Sequence, residues 1–402
     1  MLAKSRMRPH RNGALKASAG PRCAHFVIAN ALGREPRNRH GSDNAPTRFQ
    51  RGLHSCKSPA KSAVLSATIP AMNLVLDIAS SVQFWRRKYP ANRAPSAPTR
   101  LLPPSGCITR AIDVRTFAES HDVFDACGIS GDTLEVLALD ASKQRCSKHR
   151  IVHEWRGAIP EGSFYELSPN VFVESPPFMF LQAATILSFP ALIAFGDELC
   201  GLYGFDERED RGFRRRTAPL TTKRELARSL EQAKGCRGSA QARNALNYVV
   251  ENSASPMETF DEMTMCLPYR HGGYGLPEPE MNQEAKLNER AARIAKRQKC
   301  FLDMGYLPTK LDIEHHGKYD HSSDEEVASD RARVNGLKEM GIEVVELTVD
   351  QVGDLMAYEF IIQRIARILG KRLSKEHLGA TPQRLELRKE LFSWNASSGR
   401  IR

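Results

Sequence analysis

The 402-residue sequence lacks most of the features that assign a chain to a class at first sight. Its nine cysteines are odd in number, widely scattered and never spaced Cys-x-x-Cys, which argues against a disulfide framework and predicts a reducing, cytoplasmic setting. Long apolar runs are missing too. The most hydrophobic stretch, 178–195, is marginal in length, carries Gln182 and is interrupted at Pro190, so it predicts two buried helices rather than a membrane span. No serine sits in a Gly-x-Ser-x-Gly setting, leaving a serine hydrolase without support. The Gly272–Gly275 loop has neither the Lys-Ser/Thr nor the strand-before, helix-after context of a phosphate loop and reads as a turn. No internal repeat is present, and no helix-turn-helix is evident between 107 and 250.

Acidic residues are nearly absent from the start of the chain. Before Met72 four Lys and nine Arg face only Glu35 and Asp43, so the whole net charge of +11 lies there and the rest is formally neutral. A global basic balance therefore says nothing about DNA; only local clusters can. Residues 1–71 read as a disordered basic leader. A basic tail, an acid-poor transit-type presequence and upstream codons translated from too early a start all fit it, and the regular apolar spacing that begins at Met72 favours the third.

With 41% apolar and 26% charged residues, the whole chain has the composition of an ordinary globular protein, and its length predicts two domains or three. Residues 72–250 read as an α/β module of unknown role, with a Pro- and Arg-rich exposed loop over 88–106 and strands near 133–139, 150–155 and 170–174. Helices follow over 222–233, opened by a capping box of Thr222 and Glu225, and over 239–251. After Ser255 the expected order is a helix at 256–267, a short strand near 279–283, strands at 299–306 and 311–316, a helix at 324–340, a strand at 342–347 and a final helix at 350–370. A basic tail occupies 371–402.

The chemistry-bearing segment is the hairpin formed by the second and third of these strands. A Leu307-Pro308-Thr309 turn joins them, and the two-residue period places Leu311, Ile313 and His315 on one face and Asp312, Glu314 and His316 on the other. Asp303 on the partner strand falls close to Glu314. Two carboxylates from adjacent strands and a third group are what Mg²⁺ or Mn²⁺ needs, with positions left for water and a phosphate, although polar residues on an outer hairpin face are more often simply solvated.

Residues 253–370 resemble the very-short-patch-repair-type branch of the PD-(D/E)XK restriction-endonuclease superfamily, as found in bacterial abortive-infection (type IV) antitoxin-like proteins. Ser255-Pro256-Met257-Glu258 is similar to its first helix, Gly275-Leu276-Pro277-Glu278-Pro279 with Asn282 to its first strand, and Asp303 to the single aspartate of its second. Ile313-Glu314-His315-His316-Gly317 stands where the family has Glu-Tyr-Asp-Gly, and Asp330, Arg331, Arg333 and Leu337 with the 341–345 strand match its closing elements. The resemblance implies an α/β fold, a restriction-endonuclease-like mixed sheet flanked by helices and preceded by an α+β module. It further implies metal-dependent DNA cleavage, with phage defence or DNA repair as its setting. Asp303, Glu314 and Glu258 are then metal ligands, His316 (or His321) orients or deprotonates the attacking water, and Lys318 stabilises the developing phosphorane charge. The sequence departs from the family at His316, where an aspartate is usual, and Lys318 is four residues from Glu314 rather than two. The alternative is a catalytically degenerate nucleic-acid-binding or antitoxin-like regulator with a cognate toxin as partner; a weaker third reading keeps the fold as a scaffold alone.

Ahead of Asp303 a basic stretch, Arg290, Arg293, Lys296, Arg297 and Lys299, lies where a phosphate backbone would run, and a solvated helix face explains it as well. Arg211–Arg216 and the segment beyond Arg364 are further basic clusters. Cys146, His149 and His153 have a zinc-like spacing but no second Cys/His pair, and the resemblance implies an ordinary strand there.

Overall fold

Just after Met72, where the apolar spacing becomes regular, the chain enters strand β1 (Leu74–Val75) and turns at Asp77 into helix α1 (Ile78–Lys88). The computed structural model describes residues 73–88, 134–139, 150–316, 324–397 and 399, all within one compact unit, Ala67–Arg402. The leader, the loop expected beyond Lys88, Cys146, His149, Lys318 and His321 lie outside the described residues.

Strands β2 (Leu134–Ala138) and β3 (Arg150–Glu154) pair in parallel; β4 (Phe164–Ser168) and β5 (Val171–Glu174) pair antiparallel, with β1 parallel to β5. An isolated bridge between Leu76 and Val136 links the two sheets. The apolar stretch after Ser175 forms two helices, α2 (Pro176–Ala183) and α3 (Phe189–Cys200), with Pro190 in the first turn of the second, where its missing N–H costs nothing. Hairpin strands β6 (Tyr203–Phe205) and β7 (Phe213–Arg215) follow, then α4 (Lys223–Gln232), whose Thr222 and Glu225 make the expected capping box, and α5 (Ser239–Leu246). Among the described residues no helix is long and apolar enough to cross a membrane.

The second half has the expected strands in the expected order, with one helix, α7, that the expected order did not include. Helix α6 (Pro256–Cys266) leads to β8 (Glu280–Lys286), α7 (Glu289–Ala295), β9 (Lys299–Tyr306), β10 (Leu311–His316), α8 (Asp324–Glu339) and β11 (Glu343–Thr348). The sheet order is β11-β10-β9-β8, antiparallel except for the parallel β10–β11 pair that the α8 crossover makes. The expected final helix is two, α9 (Val349–Gly353) and α10 (Leu355–Ile368). They part at Asp354, whose side chain accepts from the backbone N–H groups of Met356 and Ala357 and so starts a new helix.

Residues 371–402, read from charge as a tail, contain helix α11 (Pro382–Ala396), which buries Leu387, Leu391 and Trp394 against the body. Trp394 sits edge-on to Phe195 and Phe205. The Gly272–Gly275 turn receives this helix: a side chain at Gly272 would strike the carbonyl of Gln383, and Arg384 lies over the Tyr274 ring. One hydrophobic core thus runs from Leu74 through α2, α3 and α6 to Trp394, crossing the position near 250 where a domain boundary was expected. A smaller cluster of Ala285, Ala295, Cys300, Leu302, Leu337 and Ile342 holds α7 and α8 to the sheet.

Candidate functional site

The antiparallel register pairs Asp312 with Gly305 and Ile313 with Met304, so Glu314 and Asp303 come next across the hairpin. The glycine is required: a side chain at 305 would overlap Gln283. Opposite Asp303 on β8 stands Asn282, whose left-handed φ of 50° interrupts the ladder. Behind the strands, α6 brings Glu258. Its N-cap Ser255 accepts from the Glu258 N–H at 3.1 Å, and the Glu258 carboxylate accepts from the Ala254 N–H at 2.7 Å.

Strand alternation predicts Asp312 and Glu314 on a polar, solvated face. Both are buried instead, at 0% and 2% exposure, because α8 covers that face. From α8, Arg333 donates to Glu314 Oε2 at 2.5 Å and to Asp330 at 3.0 Å. Glu314 Oε1 and both oxygens of Asp312 are buried without a hydrogen bond. The protonation states follow from that crowding. Burial, then the charge of Glu314, pushes Asp312 up to about 10. Burial and Glu314 raise Asp303 to about 6 against Arg333 and Arg215, while burial and Asp303 raise Glu258 to about 8. Asp312 is a neutral acid at pH 7, and Glu258 and Asp303 are poised around neutrality.

His316 Nε2 stands 3.9 Å from Glu314 and 3.8 Å from Glu346. His315, on the apolar face as expected, meets Asp261 Oδ2 at 2.7 Å. Asp261 Oδ1 in turn accepts from the Tyr358 hydroxyl at 3.1 Å, a buried His–Asp–Tyr chain absent from the sequence reading. Arg333 was legible only as part of the resemblance, with no role; its ion pair with Glu314 is the largest addition the structure makes.

The expected DNA-contacting residues are engaged with their own surroundings. Arg290 pairs with Glu339 at 3.0 Å, Arg293 with Glu289 at 2.5 Å and Lys299 with Glu284 at 2.6 Å, while Arg297 donates to Ser329 and Lys296 closes α7 in the left-handed conformation. These charged partners are exposed, and such pairs are worth about 0–1 kcal/mol, so a phosphate can replace them cheaply. Of the Arg211–Arg216 cluster, Arg216 is buried and donates to the Glu198 carbonyl, and Arg214 pairs with Asp206.

Among the described residues, the set of three or more His, Cys, Asp or Glu whose ligating atoms all lie within 4.8 Å of one another is Asp77, Glu135 and His153, which could hold a metal ion. Asp303, Glu314 and Glu258 are near neighbours but are not drawn together that closely. His153 thus stands beside two carboxylates in a set that could ligate a metal, while Cys146 and His149 lie outside the described residues. No protein-family model, curated protein or solved structure matches the chain.

Proposed function

We propose that residues 253–370 form a PD-(D/E)XK-like domain that hydrolyses DNA phosphodiesters with a divalent cation. The observation that carries this reading is the convergence of Glu258, Asp303, Asp312 and Glu314 on one helix–hairpin junction of the mixed sheet, three of them with pKa values raised by burial and by one another. The donor set fits a hard cation. It is all oxygen, and Glu314 Oε1 is a buried acceptor without a hydrogen bond. When bound, Mg²⁺ or Mn²⁺ supplies Lewis acidity and a water nucleophile at neutral pH.

Asp303 and Glu314 would hold the ion, with Glu258 behind them. Glu258, raised to about 8 by burial and by the charge of Asp303, can exchange a proton near neutrality. His316, beside Glu314, orients the attacking water, and Lys318 neutralises charge on the phosphate. Arg333 anchors Glu314, and loading has to loosen that ion pair. The phosphate backbone runs along Arg290, Arg293, Lys296, Arg297 and Lys299.

The Arg333–Glu314 pair also favours a second reading, a degenerate nucleic-acid-binding or antitoxin-like regulator with a toxin partner. A guanidinium at 2.5 Å already neutralises the glutamate without a metal. Nicking of supercoiled DNA in Mg²⁺ separates the two. Asp303→Ala or Glu314→Ala should lower it at least about a hundredfold, and a rate unchanged in both would sink the first reading. DNA binding in EDTA without any nicking would support the second.

A further inference from the structure

A second carboxylate cluster lies at the other end of the chain, and its geometry is independent of the nuclease reading. Asp77 follows β1, Glu135 is on β2 and His153 on β3, while Glu174 ends β5. His153 Nε2 stands 3.5 Å from Asp77 Oδ2 and 3.3 Å from Glu135 Oε2. These separations exceed an ordinary N–H···O hydrogen bond, about 2.7–3.2 Å. They match the edges of a coordination shell whose bonds are about 2.0–2.2 Å, since two ligands on one ion then lie roughly 3.0–3.5 Å apart.

A second observation comes from Glu174. It is completely buried; Oε1 accepts from Gln182 at 2.7 Å, and Oε2 has no hydrogen bond. Asp77, 1% exposed, likewise has no hydrogen bond of ordinary geometry at either oxygen, its nearest partners being the Ile78 N–H and the Glu174 carboxyl. The two carboxyls face each other closely enough for each to perturb the other's ionisation. Buried carboxylate oxygens are normally satisfied, and a shared cation satisfies several at once.

We infer that Asp77, Glu135 and His153 form a binding site for a first-row divalent metal of the Zn²⁺ class, with Glu174 behind Asp77. One imidazole and two carboxylates are a mixed nitrogen–oxygen set, which suits such ions better than Mg²⁺. Access is from the His153 side, whose side chain is 39% exposed, and Asp77 and Glu174 close the floor. The ion adds a tie between the β1–α1 turn and the parallel β2–β3 pair, segments already joined by the Leu76–Val136 bridge and by the Asp77 N–H donating to the Glu135 carbonyl.

The test is equilibrium dialysis of the full chain against Zn²⁺, with metal content and thermal unfolding measured on the same samples. The wild type and Glu314→Ala should each bind one Zn²⁺ at this site and unfold at a higher temperature with it. His153→Ala and Glu135→Ala, both at partly exposed positions, should bind it at least about tenfold more weakly and lose the thermal shift. The proposal is overturned if the wild type shows no saturable Zn²⁺ binding, if either variant keeps wild-type affinity, or if Glu314→Ala loses the same ion.

Discussion

At the β9–β10 junction, Glu314 is paired with the guanidinium of Arg333, a cation that no accessible pH removes, and Asp303 and Asp312 lie within reach of its charge. Around β1 to β3, two carboxylates, Asp77 and Glu135, face the imidazole of His153, a side-chain type that titrates near neutrality. Both clusters are buried on one side and both crowd like charges, so Asp77 and Glu174 in one and Asp303, Asp312 and Glu258 in the other hold protons above the usual range. The difference lies in what balances the remaining charge. A built-in guanidinium makes the first site tolerable without a metal and obliges a metal to compete, whereas the second keeps buried oxygens that only a proton or an added cation can satisfy.

The comparison breaks most visibly if Arg333 is removed. Arg333→Met leaves Glu314 buried beside Asp312 and Asp303 with no fixed cation, and denaturant unfolding in EDTA should show a loss of about 3–5 kcal/mol. His153→Leu under the same conditions should cost no more than about 1 kcal/mol, because its side chain is half exposed. Equal losses would mean that the two clusters are balanced alike.

A smaller effect sharpens the protonation argument. Glu258 keeps its proton to about pH 8 in the fold, whereas an unfolded glutamate releases it near 4.3. Between those values the folded chain binds the extra proton, so this residue makes stability fall as pH rises. Glu258→Gln should flatten the stability–pH curve there by up to about 1.4 kcal/mol per pH unit, and an unaltered slope would show that Glu258 is already ionised. Ser255→Ala, which removes the cap that positions Glu258, should cost about 1 kcal/mol in thermal or denaturant unfolding. The smallest effect belongs to the exposed pairs. Lys299→Ala should change stability by less than about 1 kcal/mol while reducing the salt dependence of DNA binding by roughly one phosphate contact, measured as the slope of affinity against salt.

Much of the second half was legible because its signals are local. Ser255-Pro256 opens α6, Leu307-Pro308-Thr309 turns the hairpin, and Gly341, with a φ of 74°, ends the helix before β11. Strand alternation placed Glu314 and His316 together, but it assumed a solvated face, and only the packing of α8 shows that Asp312 and Glu314 are enclosed. Arg333 meets Glu314 from a different element, so neither helix period nor strand period announces the pair. The Asp77–Glu135–His153–Glu174 cluster was less accessible still. Its members come from four segments spread over nearly a hundred residues, joined by parallel pairings that leave no turn signature between partners. The final helix α11 was hidden by its charge: Arg384 and Arg388 look like tail residues, yet both are buried over aromatic rings.

The central claim, that the β9–β10 junction takes a hard cation despite its resident arginine, is tested most directly by Mg²⁺ titration calorimetry of the full chain, wild type against Glu314→Ala. One saturable Mg²⁺ site in the wild type, lost in the variant, is the expected result. No binding by the wild type, or the same isotherm from both proteins, would contradict it.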